Sequence, residues 1–230
     1  MIERYLYPLG FRSPDADEYL AERPAPPFGR RWFTRGACGG SIWHWRILTW
    51  SSVVVLVALL ARDLGPLPAL AFLGLSMVRT WVRIGVTPDA YAFLAAYAAT
   101  VPGPWYTRVA WALMAGGSRE TAPVFAALWS WSPLPLVGLL AVPWWRPGAP
   151  LRLFRPAWGI GPWGFLPALI SWDVRAAACV VVGYAQCLIA SDGARLYQWA
   201  CVPLLVALSH EQPLIQAGAA ISIWLARYEV

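Results

Sequence analysis

An all-α, polytopic membrane architecture of about six to eight helical segments, some short or broken, is predicted by three observations on the 230-residue sequence. First, 59% of the residues are hydrophobic and 13% are charged, about half the charge of a soluble domain. So large an apolar surplus has no surface to cover it except lipid, which excludes a disordered chain and an ordinary soluble enzyme. Second, apolar runs recur along most of the chain, separated by Pro, Gly and short charged breaks. Third, the 16 Trp and 9 Tyr suit membrane–water interfaces, where an amphipathic ring sits half wet.

Residues 1–41 are polar, Arg-rich and Pro-rich, and form a first segment distinct from the helical domain expected over 42–230. The acidic residues Asp15, Asp17, Glu18 and Glu22 and the missing apolar core argue against a signal peptide. Ile42–Ala61 is the first spanning candidate, with Trp43, Trp45 and Trp50 toward its start and Arg62–Asp63 at its end. Leu67–Val82 is the second. Two shorter helices follow at Ala90–Val101 and Trp105–Ala115, split by Pro102-Gly103-Pro104. Each covers only about 17–20 Å of a core about 30 Å thick, which suggests a short hairpin packed inside protein, or a pair that extends into its flanks. Thr121–Trp145 is a long apolar stretch bent at Ser132–Pro135. Pro162–Ala190 contains Asp173 and Arg175, and Leu196–Leu208 and Leu214–Ala226 complete the chain.

All 18 basic residues are Arg and there is no Lys, a bias that A-rich codons in a GC-rich genome would produce. The net charge of +6 suits an anionic membrane or ligand. No Arg cluster is interleaved with exposed polar residues, so nucleic acid is not expected as a partner. The four Cys form no CxxC pair and read as small buried hydrophobes, and two distant His offer no zinc spacing. By loop charge, Arg62 and the cationic loop 146–162 belong on the cytoplasmic side. Alternate threading then puts residues 1–41, the Asp89 loop, the Arg119-Glu120 break and the Asp192–Arg195 break together on the opposite face.

Charges at such breaks have plain explanations. Asp89 and Asp192 stand where helix caps stand, and Arg119-Glu120 could be a local ion pair. In order along the chain, however, four stretches resemble the GT-C-type integral-membrane glycosyltransferases. They are "DADEYLAERPAPPFGRRWFT", "TPDAYAFLAAYAA", "LMAGGSRETAPVFAALWSW" and "LIASDGARLYQWACVPLL". The resemblance implies transfer of a sugar from a polyprenyl-phosphate carrier to an acceptor hydroxyl, at the extracytoplasmic face of a bacterial-type cytoplasmic membrane. It implies Asp17, or Asp15, as the base, and Arg30, Arg31, Arg119 and Arg195 as phosphate ligands. Glu120, Asp192 and Asp89 would orient them. The lipid-linked sugar would be the donor, with no other cofactor required and room for a divalent cation. Membrane lipids would be the surroundings. Members of that family usually carry a helix before the acidic loop and run longer, so the chain would be a minimal enzyme, one subunit of a larger one beside a partner membrane subunit, or an inactive remnant. The other reading is a non-catalytic membrane subunit whose Arg residues bind lipid headgroups and whose Trp residues pack on partner helices.

Overall fold

The computed structural model describes residues 37–38, 41–142, 174–187 and 198–225. All regular structure among these residues is helical. The chain divides into two compact units, Met1–Val55 with Thr80–Arg146, and Leu56–Arg79 with Pro147–Val230.

Helix α1, Ile42–Leu64, has 23 residues. At 1.5 Å per residue it reaches about 35 Å, enough to cross a bilayer core. It is long and apolar enough for that role by length and composition. Gly65, at φ 94°, turns the chain, and Pro66 opens α2, Pro66–Gly74, at a position where its missing N–H is not needed. Helix α3, Ser76–Ile84, follows. The sequence suggested one span over Leu67–Val82. Instead α2 and α3 meet at a 69° bend, and among the described residues this bent pair, taken as one span, would be the second candidate crossing. At the joint Leu75 is extended, and the Trp224 ring, brought from the far end of the chain, packs on Gly74, where a Cβ would lie 2.8 Å from it.

In the first unit, α4 (Asp89–Thr100) and α5 (Trp105–Ser118) form a helical hairpin. Helix α6 (Ala122–Ser130) packs on both arms. Its end is a Schellman-type turn: Trp131 adopts φ 49°, and the Ser132 N–H donates to the Ala127 carbonyl at 3.1 Å. Pro133 follows, and Leu134–Ala141 winds as a 3-10 helix rather than continuing a bent α-helix through 145. That 3-10 helix lies backbone to backbone on α5. A Cβ on Gly116 would strike the Gly138 carbonyl, and one on Gly138 would strike that of Ala112. Small residues at such crossings let backbones approach closely. Trp81, Phe93, Trp129 and Phe125 form an aromatic chain under the hairpin, with centroids 5.7, 4.9 and 6.2 Å apart in turn.

In the second unit, α7 (Val174–Cys187) packs against α8 (Cys201–Ser209) and the short 3-10 turn Gln198–Ala200 before it. Helix α9, Pro213–Leu225, packs along α2. The Trp224 indole donates to the Leu70 carbonyl at 2.9 Å, and Arg79 donates to the Trp224 carbonyl at 3.4 Å. Cys38, Cys179 and Cys201 are buried thiols, in keeping with their reading as small buried hydrophobes.

Candidate functional site

Helix α1 buries polar side chains beside apolar Trp45 and Val53. Arg46, Thr49 and Ser52, spaced every three residues along one face, are 1%, 0% and 2% exposed. Trp43, Ile47 and Val54 on the outer side are 60% or more exposed. The sequence reading passed over Arg46. A lone cation a few residues into an apolar run was the available signal, because such a charge needs a partner or a function.

The inward face of α1 meets the loop before α4. Thr49 Oγ1 donates to the Thr87 carbonyl at 3.2 Å. The Asp89 N–H donates to Thr87 Oγ1 at 3.2 Å, spanning Pro88 in a turn held by the side chain. Gly85, at φ 68°, is required on two counts. An L side chain rarely adopts that angle, and a Cβ would meet Arg46 Cγ at 3.0 Å. The Arg46 guanidinium lies 5.1 Å from the centre of the Trp43 ring, within cation–π range.

Asp89 is the first residue of α4, where a carboxylate complements the helix dipole. Its side chain is fully buried and meets Arg119 Nε at 2.9 Å. Arg119 follows α5 in extended backbone, with its own N–H on the Ala115 carbonyl at 2.8 Å and its side chain 9% exposed. Buried Ser118 donates to the Met114 carbonyl at 2.8 Å. The ion pair therefore joins the base of the α4–α5 hairpin. At the other end, exposed Trp105 and Tyr106 stack edge to face at 6.1 Å, and Arg108 donates to the Ala99 carbonyl at 3.0 Å.

Of the residues singled out from sequence, Asp89 and Arg119 are thus brought together. Arg119 engages the preceding arm of the hairpin, not merely its sequence neighbour Glu120. Glu120 is half-buried in the turn before α6. Asp15, Asp17, Arg30, Arg31, Asp192 and Arg195 lie outside the described residues, as do the loop 146–162 and all but three residues of the expected 1–41 segment. Among the described residues no three His, Cys, Asp or Glu side chains converge on a metal-sized site.

Comparisons of the chain with protein-family models, with curated proteins and with solved structures return no match.

Proposed function

We propose that the chain is a polytopic membrane protein that moves a sugar from a polyprenyl-phosphate carrier to an acceptor hydroxyl. The observation that carries this reading is a juxtaposition. Two of the stretches on which the GT-C resemblance rests, Thr87–Asp89 and Ser118–Glu120, lie side by side and are tied by the Asp89–Arg119 pair. A lipid setting is supported by α1, which is long and apolar enough to cross a bilayer and which buries Arg46, Thr49 and Ser52 while leaving Trp43, Ile47 and Val54 exposed.

In this reading a carboxylate of the 15–18 cluster, Asp17 or Asp15, takes the acceptor proton as the hydroxyl oxygen attacks the anomeric carbon. The anomeric carbon–oxygen bond to the carrier breaks, and the carrier leaves as its phosphate with inversion at that carbon. Arg30, Arg31, Arg119 and Arg195 hold the phosphate, and Asp89, Glu120 and Asp192 orient them. A guanidinium at a low-dielectric boundary stabilises the departing charge strongly.

One observation favours the scaffold reading: Arg119 already faces a carboxylate, which a purely structural strut would also provide. The full chain, purified in detergent, is assayed for transfer from polyprenyl-phosphate-linked sugars. An enzyme loses about 10²–10⁴ in rate in Asp17→Asn while remaining folded. It also loses activity in Arg119→Lys, which keeps the charge and loses the fork. Undiminished transfer in the Asp15→Asn/Asp17→Asn double variant would remove the base, and transfer by neither wild type nor variants leaves the scaffold.

A further inference from the structure

Helices α2 and α3 are two halves of one apolar run, and little in that run demands a break. From Ala69 to Arg79 it reads Ala-Leu-Ala-Phe-Leu-Gly-Leu-Ser-Met-Val-Arg, rich in helix formers, with no Pro and one Gly. A single Gly is tolerated inside a helix. Taken together the halves are apolar enough for one crossing, yet they meet at 69°. The break also shifts a backbone hydrogen bond. Leu75 is extended, and its N–H donates to the Phe72 carbonyl at 3.1 Å rather than to that of Ala71, its partner in a continuous helix.

One residue from near the end of the chain touches both halves and the joint. The Trp224 indole donates to the Leu70 carbonyl of α2 at 2.9 Å, and the Trp224 carbonyl accepts from Arg79 of α3 at 3.4 Å. Between these points the ring fills the space at Gly74, where a Cβ would lie 2.8 Å from Trp224 Cδ1 and 3.1 Å from Ile223 Cγ2. The helix that brings Trp224 is lightly held. In α9 only Ala219, Ala220 and Ile223 are buried, Leu214, Ile221 and Leu225 are largely exposed, and the Cβ position of Gly218 faces open space. A local preference for one shape, opposed by a contact from elsewhere in the chain, gives an element two discrete arrangements.

We propose that Trp224 is a latch that holds the α2–α3 run broken, and that its release lets Pro66–Ile84 wind as one continuous helix. On release the Leu75 N–H returns to the Ala71 carbonyl, and the Leu70 carbonyl keeps only its partner within the helix. The straight helix reaches about 28 Å, close to a bilayer core about 30 Å thick. The latch therefore selects between a broken run and a full crossing. Neither a sugar donor nor an acceptor enters the inference, so it stands or falls independently of glycosyl transfer.

The test is pulsed electron paramagnetic resonance on the full chain in lipid nanodiscs. The four native Cys are replaced by Ala, and nitroxide labels are placed on Leu67→Cys and Val82→Cys. Two arms meeting at 69° hold these backbone positions about 19 Å apart, and a straight helix holds them about 23 Å apart. The otherwise unchanged chain should show the shorter distance. Trp224→Ala removes the latch, and Gly74→Ala displaces its ring from the other side, so each should lengthen the separation by about 4 Å. Gly218→Ala, on the same helix but in open space, should leave the distance short. Should Trp224→Ala fail to fold, Trp224→Phe keeps a ring and loses only the indole donor, and should show both distances at once. The short distance alone in a folded Trp224 variant, or in Gly74→Ala, overturns the proposal and leaves the bend to Leu75 and its neighbours. The long distance in the chain with Trp224 and Gly74 intact overturns it equally.

Discussion

Breaking the Asp89–Arg119 pair should cost far more than breaking a surface ion pair. The two side chains are 0% and 9% exposed and 2.9 Å apart, so removing Asp89 strands Arg119 away from water, and removing Arg119 takes a buried carboxylate's cationic partner. Stranding a buried charge costs about 3–5 kcal/mol, against roughly 0–1 kcal/mol for an exposed pair. Asp89→Asn should sit at the upper end, because it also removes a negative charge from the first turn of α4, worth about 0.3–1 kcal/mol. Arg119→Met should sit lower. The double variant Asp89→Leu/Arg119→Met leaves no stranded charge and should recover most of the loss, since apolar groups of similar size often replace a buried pair at little net cost. The assay is thermal unfolding of the full chain in detergent. At about 2–4 °C per kcal/mol for a chain of this size, each single variant should melt about 10 °C lower, and the double variant near wild type. Single variants that each lose less than about 1 kcal/mol would refute the burial argument, and strictly additive losses would show that the two side chains do not depend on one another.

Two further outcomes follow from packing and burial. Gly116→Ala puts a methyl 2.8 Å from the Gly138 carbonyl carbon, where only backbone movement can relieve it, so about 1–3 kcal/mol of stability should be lost in the same melt. Gly218→Ala, with open space around its Cβ position, should be neutral or slightly stabilising. Cys38 packs with Trp45, Ile84 and Val86, and burial pushes its thiol up to about 11 from an ordinary 9.0. A raised thiol contributes its stability in full below pH 9. That contribution is lost as pH rises toward 11, where the unfolded chain releases the proton first. With the other three Cys replaced by Ala, unfolding midpoints should therefore fall between those two pH values. Cys38→Ala should flatten that slope, and an unchanged slope would mean that the thiol is not buried in solution.

The class of the fold is written into composition and periodicity. Apolar runs wind as helices because every backbone group then finds its partner within the run, and this holds whatever the run packs against. The punctuation is equally local. Gly65-Pro66, Pro102-Gly103-Pro104 and Ser132-Pro133 break the chain by their own backbone chemistry, and the helices end beside them. The bend at Leu75 has no such signature. It depends on Trp224 closing on Gly74, and that contact exists only after α9 has folded back onto α2. The same division runs through the site. Sequence marked Asp89 and Arg119 as charges at breaks, which is consistent with caps, with a neighbouring Glu120 or with a distant partner. The choice among these fell to the close packing of the α4–α5 hairpin, which brings its two ends together and buries them. The inward turn of Arg46, Thr49 and Ser52 likewise came from tertiary contacts. A helix fixes which residues share a face, but only what packs against it decides whether that face looks inward or outward.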